Sequence, residues 1–226
     1  MRLSVIIPVL NEGARALACV QDLSPLRAAG HELILVDGGS ERLDADALTP
    51  WVDHLLNSEA GRARQMNLGA SVARGEVLWF LHADTRLLGD AVTAIQAAQS
   101  NGPAWGRFDI RLDGRSPLLR LVALMMNTRS RWSGIATGDQ GIFVHRDLFQ
   151  RVGGFPDQAL MEDIEISARL KRLRHPDCLR QCLLTSSRRW QRQGILRTIF
   201  LMWGLRLAYR LGVSPQRLAA YYRLNP

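Results

Sequence analysis

Residues 3–12 read Leu3-Ser4-Val5-Ile6-Ile7-Pro8-Val9-Leu10-Asn11-Glu12. An apolar run this short, closed by Pro, Asn and Glu, has the length of a buried strand and is too short for a signal peptide or a membrane span. A helix is expected over residues 12–23, with Asn11 as its cap. The next apolar run, residues 32–36, reads as a second strand and stops at Asp37-Gly38-Gly39-Ser40. His54–Asn57 reads as a short third strand, residues 61–73 as a helix, and residues 77–81 as a strand ending at His82-Ala83-Asp84-Thr85. Residues 90–99 read as a further helix. Strand and helix alternating at this spacing specify an α/β fold with a mostly parallel sheet covered by helices on both faces. Ligands of such sheets bind beyond the carboxyl ends of the strands, where the clusters at 11–12, 37–40 and 82–85 all fall.

The second half is less regular. Residues 105–112 suit a strand, 118–126 a helix, 141–144 a short strand, 146–152 a short helix closed by Gly153-Gly154, and 164–173 a helix opened by Glu162-Asp163. The chain has 226 residues, 47% of them apolar, enough for one good-sized core. No repeat, low-complexity stretch or linker divides it, so residues 1–226 are read as a single domain. Within it, residues 1–115 hold the regular alternation, 116–193 the less regular part, and 194–226 read as basic amphipathic helices.

Charge is uneven. From Arg169 onward there are thirteen basic residues and one acid, Asp177, a balance of +12 against −4 for the first 168 residues. A basic C-terminal quarter suits a diphosphate, an anionic lipid surface or nucleic acid, or is simply a solvated face. Residues 195–211 are apolar but interrupted by Arg197, Arg206 and Arg210, which fits an interfacial helix or one packed on the core with its arginines outward. Cys19, Cys178 and Cys182 are expected to be reduced thiols; Cys178 and Cys182 would face each other only if helical.

Several clusters carry chemistry. Asp37 after a buried strand can accept hydrogen bonds from a base or ribose, with Gly38 and Gly39 letting the backbone turn closely. Asp84 can hold a divalent cation against a diphosphate, and the strand alternation puts His82 on the same side, as a ligand or as a residue that orients Asp84. Glu162 and Asp163 open a helix, where the dipole favours them structurally and where one can serve as a general base. Arg188 and Arg189 offer guanidinium groups to phosphate, and Trp190 a stacking face. No Gly-x-Gly-x-x-Gly and no Walker loop is present.

Together these residues resemble glycosyltransferase family 2. Pro8-x-x-Asn11-Glu12, Asp37-Gly38-Gly39-Ser40, the segment 61–70 (Gly61-Arg62-Ala63-Arg64-Gln65-x-Asn67-x-Gly69-Ala70), His82-Ala83-Asp84-Thr85, Gly138-Asp139-Gln140 and Glu162-Asp163 occur in that family's order, over roughly residues 3–194. The histidine-type motif is most similar to a small bacterial subgroup described as radical-SAM/selenodomain-associated transferases. The resemblance implies a GT-A fold and an inverting, metal-assisted transfer of sugar from a nucleoside-diphosphate donor to a small-molecule or lipid acceptor. It implies that Pro8, Asn11, Glu12, Asp37 and Gly39 line the nucleotide pocket, with Arg62, Gln65 and Asp139 near the donor. Asp84, with His82, would bind Mn2+ or Mg2+. Asp163 would be the base beside Glu162, and Arg188, Arg189 and Trp190 would contact diphosphate or acceptor.

Two departures bear on this. The family's usual metal motif has Asp where His82 stands, and Ser186 stands where processive members carry Gln, so a single transfer is expected rather than polymer synthesis. The competing readings are a nucleotidyltransferase, which would open with a Gly-rich basic loop after the first strand, and a non-catalytic binding or membrane-adaptor protein. A nucleic-acid partner is not expected, since no recognised motif accompanies the arginines. The expected location is cytoplasmic, with peripheral contact at an anionic membrane through residues 194–222. The oligomeric state, sugar, nucleobase and acceptor are not encoded in these features.

Overall fold

Leu3–Val9 forms a strand, β1, whose side chains are all buried except half-buried Pro8. The computed structural model describes residues 1–224, and the last two residues of the expected 194–226 segment lie outside the described residues. After β1 come α1 (Gly13–Ala28), β2 (Glu32–Asp37), α2 (Ala45–Leu48), β3 (His54–Asn57), α3 (Arg62–Val72), β4 (Val77–Phe80), β5 (Arg86–Leu88), α4 (Ala91–Gln99) and β6 (Trp105–Leu112). The chain continues through α5 (Pro117–Ser133), β7 (Phe143–His145), α6 (Arg146–Arg151), α7 (Glu162–Leu173), β8 (Asp177–Thr185), α8 (Arg188–Gln193), α9 (Ile195–Arg210) and α10 (Pro215–Leu224).

The described strands form one sheet in the order β3-β2-β1-β4-β7-β6-β8-β5, in which four of seven pairings are parallel. The two-residue period of β1 sorts its side chains between two cores. Val5, Ile7 and Val9 join Leu33 and Leu35 under α1 and α4, whereas Ile6 joins Ile34 and Val36 under α3, α6 and α7. Each fully buried aliphatic side chain of this kind contributes about 1.5–3 kcal/mol, so a strand apolar on both faces belongs at the centre of a sheet. Helix α3 sits unusually close to the sheet. A Cβ on Gly69 would stand 2.5 Å from Ile6 Cγ2, so only glycine permits this approach without repacking.

Several expectations are corrected. Asn11 does not cap α1: it lies at φ 55°, Glu12 occupies the cap position without a side-chain bond, and the helix starts at Gly13. Residues 82–85 are a turn closed by the Thr85 amide donating to the His82 carbonyl (3.0 Å), so strand alternation does not relate His82 to Asp84. Cys178 and Cys182 lie on a strand, β8, rather than a helix, and all three cysteines are free thiols. The segment 118–126 extends to Ser133. Strands β5 and β8 and the short helices α2 and α8 are not legible from apolar pattern. In β8 the run is broken by exposed Arg180-Gln181, where a register shift against β6 accommodates the two residues. Among the described residues no helix is long and apolar enough to cross a membrane.

Candidate active site

The ends of β1, β4 and β8 and the starts of α3, α7 and α8 surround a cavity of about 1360 Å³. Its first wall is Pro8, Val9, Leu10 and Glu12, with Arg62 and Gln65 from α3. Gln65, almost wholly buried, donates from Nε2 to the Val9 carbonyl (2.7 Å) and the Val36 carbonyl (2.9 Å), tying the ends of β1 and β2 together. Asp37, Asn11 and Gly39 are not among the cavity-lining residues. Asp37 Oδ2 accepts from the amides of Gly39 (3.2 Å) and Ser40 (2.9 Å), and its Oδ1 accepts from the Ser40 hydroxyl (2.5 Å). Asn11 is clasped to the same loop: its amide donates to Ser40 Oγ (2.7 Å), and its Oδ1 accepts from the Glu41 amide (3.0 Å). Asp37, Gly39 and Asn11 thus shape the loop behind the wall.

His82 and Asp84 both reach the cavity from the turn after β4. They face different partners. His82 Nδ1 lies 3.3 Å from Asp139 Oδ1, and Asp84 Oδ2 lies 3.6 Å from an Arg188 terminal nitrogen. Burial works against the charge on Asp139, but the hydrogen bond and charge of His82, with Arg62 and Arg206, hold its carboxyl below the usual range. Arg62 is exposed at the cavity mouth, and although partial desolvation there opposes its charge, Glu162, Asp139, Tyr222 and Asp163 together raise its pKa. Among the described residues no three His, Cys, Asp or Glu side chains cluster as a preformed metal cage.

The acidic pair sits opposite. Met161, buried and at φ 68°, turns the chain sharply into α7, so that Glu162 and Asp163 enter the cavity at the positive end of that helix. Asp163 Oδ2 accepts from the Gly138 amide (2.9 Å) and Oδ1 from its neighbour's amide, Ile164 (2.7 Å), which fixes the carboxylate plane. Glu162 is buried, and burial followed by the adjacent Asp163 charge raises its pKa. From α8, Arg188, Arg189 and Trp190 complete the lining, with the Arg189 guanidinium 3.6 Å above the Tyr222 ring.

Two lining residues, Arg129 of α5 and Arg206 of α9, escape sequence reasoning. The signal was present for Arg206: it stands four residues after Met202 and three before Tyr209, on the face that packs inward. Arg129 was missed because the expected helix stopped at Met126.

This arrangement offers anion-binding guanidinium groups, one carboxylate beside them at Asp84, and a second, rigidly held carboxylate at Asp163 across a shared space. Comparison with known proteins agrees. Residues 4–149 match the family described as Glycosyl transferase family 2. A PGL/p-HBAD biosynthesis glycosyltransferase of Mycobacterium bovis (strain BCG / Pasteur 1173P2) is 32% identical over 169 residues, covering 67% of this chain and 62% of that relative. Glycosyltransferase GlyG of Streptococcus pneumoniae serotype 4 is 33% identical over 89 residues, 36% of this chain and 30% of that one. The chain therefore spans less than two thirds of the length of these curated relatives. Among solved structures, S. aureus TarS 1-349 in complex with UDP-GlcNAc superposes with a TM-score of 0.66 at 13% identity, covering 82% of this chain and 58% of that one. The mannosyltransferase PcManGT from Pyrobaculum calidifontis, in complex with GDP-Man and Mn2+, gives 0.63 at 19% identity, covering 95% and 66%. At these identities the likeness establishes the fold, that of GT-A glycosyltransferases.

Proposed function

This chain belongs to glycosyl transferase family 2, and from that premise we propose that it moves a sugar from a nucleoside-diphosphate donor to an acceptor hydroxyl, inverting the anomeric centre and making one transfer per encounter. The observation that carries this reading is Asp163, held rigidly by two amides in the same cavity as the Asp84–Arg188 pair. Its carboxylate takes the acceptor hydroxyl proton as that oxygen bonds to the anomeric carbon. The bond from this carbon to the diphosphate oxygen breaks, and its electron pair leaves with the nucleoside diphosphate. Arg62, Arg188 and Arg189 meet the charge that gathers on the departing group. Pro8, Glu12 and Gln65 bound the donor side, and Asn11, Asp37 and Gly39 keep its loop in shape. Trp190 offers a face to sugar or acceptor.

Divalent metal use belongs to the proposal. Sites for Mg2+-like ions commonly combine one or two carboxylates with substrate phosphates, and Asp84 beside the arginines fits such a half-built site. When bound, Mn2+ or Mg2+ supplies a Lewis acid for the diphosphate oxygens. His82, engaged with Asp139, fits better as a residue that fixes the floor than as a ligand. The mannosyltransferase crystallised with Mn2+ supports metal use by analogy of fold. The histidine-type motif also keeps the radical-SAM/selenodomain-associated subgroup as the proposed placement within the family. Residues 1–115 would serve the donor, 116–193 the acceptor and chemistry, and 194–226 the surface that meets an anionic membrane at its cytoplasmic face.

The test is nucleoside diphosphate release from a panel of nucleotide sugars, with Asp163→Asn in parallel. The reading expects hydrolysis or transfer without nucleotidyl transfer, with a loss of about 10²–10⁴-fold in the variant. Nucleotidyl transfer would establish the competing enzyme class. Activity equal in the variant and the parent would show that no base at Asp163 is involved.

A further inference from the structure

The face of α5 that lines the cavity is apolar at Val122, Met125 and Met126 and ends at Arg129. The face that α9 presents there repeats the pattern, with Ile199, Met202 and Trp203 followed by Arg206. Each helix thus contributes an apolar wall and one arginine. Neither arginine is satisfied by the protein: among the described residues Arg129 Nε and Nη2 and Arg206 Nε are buried without a hydrogen-bond partner. Orphaned buried donors of this kind are rare and call for a partner.

The electrostatics points the same way. Burial, and then the like charge of Arg206, push the Arg129 pKa down to about 10, and burial lowers Arg206 too. The carboxylate that pulls back on both is Asp163, the proposed base. Asp84, on the other hand, faces Arg188. The Arg129 and Arg206 pair thus stands apart from the Arg188 that faces Asp84. An anion between Arg129 and Arg206 would satisfy the free donors and cancel their mutual repulsion.

The walls run outward to Met125 and Trp203, both exposed. Just beyond them α5 exposes Leu118, Leu121 and Leu124, and α9 exposes Leu196, Phe200 and Leu207.

We infer that Arg129 and Arg206 form the acceptor subsite, and that the acceptor is an amphiphile whose phosphate they grip while its apolar chain lies between α5 and α9. This rests on the transferase reading above, which makes the Asp163 side the acceptor side. The subsite directs a hydroxyl carried near that phosphate toward Asp163, which takes its proton as in the transferase reading.

The experiment titrates octyl phosphate, octanol and inorganic phosphate, each into the full chain and into Arg129→Gln and Arg206→Gln. Nucleoside diphosphates are titrated in parallel. Octyl phosphate is expected to bind at least about tenfold more tightly than octanol or inorganic phosphate, and each variant to weaken it about tenfold. Affinity for the nucleoside diphosphate should stay within about twofold in both variants. Octyl phosphate no tighter than octanol would eliminate the anion subsite, and no tighter than inorganic phosphate would eliminate the apolar channel. Both comparisons use the unsubstituted protein, so they stand even if a variant fails to fold. Equal loss of nucleoside diphosphate and octyl phosphate in a folded variant would reassign the arginines to the donor. Absence of any nucleoside diphosphate binding by the parent would remove the transferase reading, and this inference with it.

Discussion

At Gly138 a missing side chain sets the geometry of the site. A Cβ there would stand 2.7 Å from His82 Nε2 and 4.0 Å from Asp163 Oδ2, while the residue's amide holds that same carboxylate. Gly138→Ala should therefore shift His82 or the base by a fraction of an ångström, lowering kcat about 10–100-fold with little change in thermal stability. Steady-state kinetics beside a melting curve checks this; unchanged kcat would show that the contact is slack. Glu162 invites a test of pH dependence. Burial and Asp163 raise its pKa in the folded chain, so the unfolded chain gives up this proton at lower pH than the folded chain does. Its ionisation therefore removes stability as pH rises from the unfolded-state pKa through the folded one, and the deficit persists above that. Glu162→Gln should raise Tm at pH 8 and leave it nearly unchanged at pH 4. A Tm that falls at pH 8 would mean that the attraction of the Arg62 charge outweighs burial.

At the scale of elements, α9 carries a stripe that its packed face does not use. Leu196, Phe200, Trp203, Leu207 and Leu211 recur at helical spacing and are all exposed, Phe200 at 68%, and exposed Arg197 and Arg210 lie on the same helix or at its end. Apolar residues flanked by cations suit an anionic lipid surface. The full chain should bind anionic liposomes at low salt and release them at high salt, and Phe200→Ser with Trp203→Ser should weaken this by at least about tenfold. Equal binding by the double variant would place the contact elsewhere. Helix α3 makes a stability prediction: Gly69→Ala pushes against Ile6 and should cost about 1–3 kcal/mol by denaturant unfolding. The elements also show what sequence could and could not supply. Strands β1 and β2 were legible because they are apolar on both faces, and β3, α4 and β6 because their periods are clean. Strand β8 was not, since its two exposed polar residues are tolerated only through the register shift against β6, a tertiary fact. Asn11 looked like a cap because cap residues and loop-clasping residues are the same types; which hydrogen bond it makes depended on Ser40 and Glu41, about thirty residues away.

Across the whole molecule, the sheet brings the strand-end clusters and the basic C-terminal helices to one cavity. Pro8, Glu12, Arg62, Gln65, His82, Asp84, Asp139, Glu162, Asp163, Arg188, Arg189 and Trp190 all line it, whereas Asn11, Asp37 and Gly39 do not. Arg129 was hidden because the expected helix stopped short of it, and Arg206 was passed over although its spacing from Met202 and Tyr209 put it on the inward face. The charge asymmetry acquires a physical meaning here. The C-terminal quarter contributes Arg188 and Arg189 to a cavity whose carboxylates come from the earlier part of the chain. Opposite charges held apart in one cleft are suited to a polyanionic donor. The most direct measurement of this claim is calorimetric titration of UDP, GDP, CDP and dTDP, each with and without manganese, into the parent and Asp84→Ala. The account predicts that at least one diphosphate binds, more tightly with manganese, and that Asp84→Ala removes the metal's contribution while remaining folded. No binding of any diphosphate by a well-folded parent would contradict it.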